Sequence, residues 1–108
     1  MGYFIQHDGF RIAYLTDTVG LPQATLEFLK THRPDLMVLD CSHPPRETPP
    51  RNHNDVNQAI AIHQAIKPFE TWLTHIGHDL DSWLMSHEET LPPRMRAARD
   101  GHAWTGLV

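Results

Sequence analysis

The sequence predicts an α/β layered fold in which short strands alternate with about three helices and the chain closes on a hairpin. Three observations predict it. Asp8-Gly9 stands between two β-rich segments as a two-residue hairpin turn. Leu36-Met37-Val38-Leu39-Asp40 is a short continuous apolar run, the pattern of a strand buried on both faces. Helix-start signals, Pro22 and then Asn54-Asp55, stand on either side of that run.

In chain order, residues 3–7 read as a strand, and residues 10–15 return from the Asp8-Gly9 turn. Thr16-Asp17-Thr18, then Gly20 and Pro22, stop that strand. Proline suits a first helical turn, so a helix starts near Pro22 and carries Leu26, Phe28 and Leu29. After the apolar strand, Pro44, Pro45, Pro49 and Pro50 forbid a regular helix or central strand, leaving a long loop expected to be mobile. Asn54 or Asp55 caps a helix through Val56, Ile60, Ile62, His63 and Ile66, ended by Pro68. Residues 69–73 form a further strand, running into Thr74-His75-Ile76-Gly77-His78, and residues 79–87 a further helix. Residues 95–98, Asp100-Gly101 and residues 103–108 read as the closing hairpin.

A chain of 108 residues is long enough for one small domain. A formal charge of −4 argues against a surface built to hold a nucleic-acid backbone. No apolar run reaches the length of a membrane span, and the first residues lack the basic region of a signal peptide; a cytoplasmic location is the expectation. The single cysteine, Cys41, excludes an internal disulfide and a cysteine-only zinc site. Nine histidines raise the prior for metal chemistry, and position decides which of them matter.

The chemically versatile residues gather where strands end: Asp17, the stretch from Asp40 to His43, and His75 with His78. Strand ends are where α/β sheets place their ligand sites. Read locally, Asp17 caps a turn; read functionally, it holds or bridges metal ions. His75 and His78 either share one metal, serve two, or pack as ordinary histidines. His53 is a solvated loop histidine or a general acid and phosphate contact. Arg46 and Arg51 suit an anion, as loop arginines often do without binding one. Cys41 has no base or orienting acid evident beside it, which disfavours a thiol nucleophile.

Taken in order, these segments resemble one family. Tyr14-Leu15-Thr16-Asp17-Thr18-Val19-Gly20-Leu21-Pro22, Leu39-Asp40-Cys41-Ser42-His43-Pro44-Pro45-Arg46, Pro50-Arg51-Asn52-His53 and Thr74-His75-Ile76-Gly77-His78 carry the likeness. It is to the phosphoribosyl cyclic phosphate phosphodiesterases of the bacterial carbon–phosphorus lyase pathway, within the metallo-β-lactamase superfamily. The resemblance implies the C-terminal half of an αββα sandwich, with residues 1–108 as a single partial domain. It implies Asp17 as a carboxylate bridging two divalent ions, manganese or zinc, and His75 as the last histidine ligand of that dinuclear site. His78 is implied as the histidine of a separate structural zinc site. His53 is implied as the catalytic acid or phosphate contact, with Arg51 as an accessory substrate contact. His53 also resembles a helix-start histidine of the related tRNA-maturing endonucleases, which keeps RNA cleavage as a rival reading.

The departures are as informative. The superfamily's His-x-His-x-Asp-His metal motif belongs to an N-terminal half that these residues do not contain, and the cysteines expected beside His78 have no counterpart. The expectation is a phosphodiesterase fragment that is inactive alone and completed by its N-terminal half. A non-catalytic interaction or metal-binding module of the same fold is the alternative. Half a sandwich leaves an apolar face, so a homo-oligomer that buries it is expected.

Overall fold

The computed structural model describes residues 2–15, 20–45, 53–74 and 76–98. Strand β1 (Gly2–His7) and strand β2 (Phe10–Leu15) form the expected hairpin, pairing antiparallel from Gly2↔Leu15 to His7↔Phe10. Asp8 and Gly9 both take positive φ, 51° and 80°, as a turn that follows the twist of its strands requires. Helix α1 (Gln23–His32) follows Pro22, and strand β3 (Leu36–Asp40) pairs parallel to β2.

Helix α2 (Val56–Ile66) begins with a reciprocal cap: Asp55 accepts from the Gln58 amide at 2.8 Å and Gln58 Oε1 accepts from the Asp55 amide at 2.9 Å. Such a cap is worth about 1 kcal/mol. Strand β4 (Glu70–Thr74) pairs parallel to β3, helix α3 (His78–His87) runs into a short 3₁₀ turn (Glu88–Thr90), and strand β5 (Met95–Ala97) pairs parallel to β4. The last strand thus joins the sheet's far edge, and the return arm expected over residues 103–108 lies outside the described residues. No described helix is long and apolar enough to cross a membrane.

The five strands lie in sequence order, and β2 to β5 are parallel neighbours. Right-handed crossovers between consecutive parallel neighbours put every connecting helix on the same face. The core bears this out. Ala13, Leu15, Met37, Leu39, Leu73, Met95 and Ala97 from one face of the strands pack with Leu29 of α1, Val56, Ala59, Ile62 and Ile66 of α2, and Leu80 and Leu84 of α3. Truncating a fully buried residue such as Leu39 or Leu73 to alanine costs about 2–5 kcal/mol.

The other face carries a different row. Registers align Tyr3, Tyr14, Val38, Trp72 and Arg96 across all five strands, with Ile5 and Ile12 opposite each other nearby. Tyr3, Ile5 and Tyr14 are 57%, 55% and 41% exposed, so the sheet shows apolar side chains to solvent. This is the two-layer, one-sided arrangement expected of half a sandwich.

Candidate functional site

The carboxyl ends of the parallel strands β2, β3 and β4 converge on the start of α2. Cys41 N–H donates to Thr74 O at 2.9 Å, extending the β3–β4 pairing past the last strand residues. Ser42 N–H and His43 N–H both reach Asn54 O, at 3.0 and 3.4 Å, and Val56 N–H donates to His43 O at 3.0 Å. The two described ends of the proline-rich loop are therefore zipped together by backbone, and His43 and Asp55 form an isolated parallel bridge.

His53 lies at this junction. Its Nδ1 is 2.6 Å from Oδ2 of Asp40, the last residue of β3. Asp40 is fully buried, whereas the His53 side chain is 29% exposed. A buried carboxylate is tolerated only where donors meet it. In the neutral ring the proton therefore sits on Nδ1, and the carboxylate fixes both the tautomer and the orientation of the imidazole. Ser42 Oγ adds a longer contact to Asp40 Oδ1 at 3.4 Å. His53, expected on a mobile loop, is instead tied to the strand edge.

Sequence reasoning singled out the stretch from Asp40 to His43 but gave Asp40 no role, and its pairing with His53 was missed. Its signal was present: a charged residue closing an apolar strand buried on both faces is costly without a partner. The partner stands 13 residues on, across four prolines, where no local pattern reveals it. Asn54 was missed as well, having been read only as a helix cap. It is fully buried, and its carboxamide bonds to the Gly20 amide and the Asp40 carbonyl.

Asp17, His75 and Arg51, expected as two metal ligands and a substrate contact, lie outside the described residues, as does Arg46. His78 is exposed as the first residue of α3, with Gly77 as the capping residue before it. Asp79 and Asp81 follow in the first turn, where carboxylates complement the helix dipole. Among the described residues, no three His, Cys, Asp or Glu side chains stand close enough to hold one metal ion. Cys41 does not help. It is fully buried, and burial, reinforced by the negative charges of Asp55 and Asp40, pushes its thiol up to about 12. The structural zinc expected at His78 therefore finds no fit among the described residues.

His43 lies close by, its ring 6.3 Å from that of His53. Its Nε2 is buried and, among the described residues, has no hydrogen-bond partner.

Comparison with known proteins agrees with this architecture. The family model described as "Beta-lactamase superfamily domain" matches residues 1–76. A diphosphatase of the PhnP family is similar at 35% identity and a TM-score of 0.64, over 84% of this chain and 33% of that one. The metallo-β-lactamase-fold protein YhfI from Bacillus subtilis aligns with a TM-score of 0.74 at 19% identity, over 95% of this chain and 43% of that one. The chain thus spans about a third of the diphosphatase and less than half of YhfI. No curated protein matches the chain.

Proposed function

Because the chain belongs to the beta-lactamase superfamily, we propose that it supplies part of a metal-dependent hydrolase site whose substrate is a small phosphodiester. A ribosyl cyclic phosphate is the reading its motifs favour. The observation that carries the proposal is the buried Asp40 carboxylate held 2.6 Å from His53 Nδ1 at the carboxyl edge of the parallel strands. The similarity to a PhnP-family diphosphatase supports a phosphorus-centred reaction and makes diphosphate esters the nearest competing substrates.

The chemistry asked of this chain's residues is proton delivery. When water attacks phosphorus, the bond from phosphorus to the leaving oxygen breaks and that oxygen needs a proton. His53, as an imidazolium, gives up its Nε2 proton, while Nδ1–H stays hydrogen-bonded to the Asp40 carboxylate so that the ring cannot rotate away. Divalent ions in such sites neutralise phosphate oxygens and activate the water. Asp17 and His75 are proposed as this chain's contribution to holding them, and Arg51 as an anion contact beside His53.

The rest of the ligands are proposed to come from an N-terminal half, packed against the open sheet face of Tyr3, Tyr14, Val38 and Trp72. In isolated chains a second copy is proposed to cover the same face. Sedimentation of the chain alone tests this: concentration-dependent dimers that dissociate on Tyr14→Lys support it, and a monomer at high concentration refutes it.

The activity test uses manganese with bis-p-nitrophenyl phosphate, a ribosyl cyclic phosphate and a diphosphate ester. Each is offered to this chain alone and to this chain mixed with the upstream half. Activity only in the mixture, lost on His53→Ala and Asp17→Ala, is the expected result. A folded complex that cleaves none of the three substrates would overturn the reading in favour of a non-catalytic interaction module.

A further inference from the structure

Asn54 sits where three chain segments meet, and it is fully buried. Its Oδ1 accepts the Gly20 amide at 2.7 Å, and its Nδ2 donates to the Asp40 carbonyl at 2.8 Å. The assignment of oxygen and nitrogen is forced, because an amide N–H only donates and a carbonyl only accepts. Gly20 takes a φ of +65°, a left-handed conformation that glycine adopts without strain. It lies at the entry to α1, three residues after Asp17.

We propose that Asn54 is a positioning residue. Its carboxamide locks the end of β3, which carries Asp40 and through it His53, to the backbone at Gly20. Gly20, at the entry to α1, and the proton donor are thereby held as one unit. Only the kinetic consequence rests on the reading of His53 as an acid; the clamp itself does not. A carboxamide is the group that suits this place, offering one acceptor and one donor in diverging directions. Aspartate would accept from Gly20 but turn its second oxygen toward the Asp40 carbonyl. Leucine, of similar shape, would remove both hydrogen bonds.

The test begins with the unsubstituted chain, by amide hydrogen exchange and long-range proton–nitrogen NMR of the imidazoles. The Gly20 amide should be protected and His53 should show a single Nδ1–H tautomer; an unprotected Gly20 amide overturns the clamp outright. In Asn54→Leu and Asn54→Ala, with folding checked by circular dichroism, Gly20 exchange should accelerate about tenfold or more. The His53 signature should become a mixture of tautomers, a change that loss of stability alone does not produce. In the mixture with the upstream half, kcat should fall about tenfold or more with KM within about twofold. A folded variant with Gly20 still protected and the His53 tautomer unchanged would refute the proposal. An unsubstituted mixture without phosphodiesterase activity would overturn the functional reading, while exchange and tautomer still decide the clamp.

Discussion

Asp40 and His53 are joined at 2.6 Å although 13 residues and a proline-rich loop separate them in the chain. The carboxylate is fully buried and the imidazole part-exposed, so one partner anchors and the other faces outward. Asp40→Asn keeps the volume but no longer requires the proton on Nδ1. The expected outcome is a fall in kcat of about a hundredfold or more in the assembled enzyme, with KM little changed. Steady-state kinetics of the mixture checks it, and an Asp40→Asn enzyme with unchanged kcat would remove the pair from the mechanism.

Gly77 is a second constrained position. A Cβ placed on it would come 3.0 Å from the Ser42 carbonyl oxygen, which is backbone and cannot swing aside. Gly77→Ala therefore pushes the loop after β4 away from the loop after β3. Thermal unfolding should show a loss of about 1–3 kcal/mol.

His63 links α2 to β4 through Nδ1 and Thr71 Oγ1 at 2.6 Å. Burial lowers its pKa below the ordinary imidazole value, with a hydrogen bond to the Pro93 backbone working in the opposite direction. The unfolded chain therefore takes up this proton first as pH falls. The stabilisation from neutral His63 is present above the ordinary value and is lost as pH drops through it toward the lowered one. Melting temperature should fall between about pH 7.5 and pH 5.5, and less steeply in His63→Gln. Parallel slopes for the two proteins would exclude His63 as the cause.

Cys41 should be chemically silent. With its thiol pushed up to about 12 by burial and two nearby carboxylates, almost no thiolate exists near neutrality. Iodoacetamide should leave the folded chain unmodified at about pH 8 and label it readily in denaturant. Rapid labelling of the folded chain would mean that the β3 end opens.

Much of the fold was legible because its signals are local. The Asp8-Gly9 turn, the apolar β3 run and the Asp55 cap each depend on a few adjacent residues. The strand read over residues 69–73 forms one position later, as Glu70–Thr74. Phe69 stays outside the strand, its amide directed to Pro34 O at 3.2 Å and its ring under the Arg94 guanidinium at 4.2 Å. Neither partner is near Phe69 in sequence. Of the candidate site, His53 and the stretch from Asp40 to His43 stood out in the sequence, but the pairing of Asp40 with His53 and the bonds of Asn54 did not. Their roles exist only as bonds spanning 13 residues for Asp40 with His53 and 34 for Asn54 with Gly20.

By itself, then, the sequence determined the order and kind of elements, because hydrophobic period, turn chemistry and capping act within one turn or one strand. Tertiary structure alone decided which face of the sheet the helices cover and which apolar residues are left exposed, since crossover handedness and strand register are properties of the whole sheet. It also decided that a buried aspartate at the end of β3 would meet a histidine from beyond the prolines. A charge in the core needs a partner, and only the folded chain brings that partner within reach.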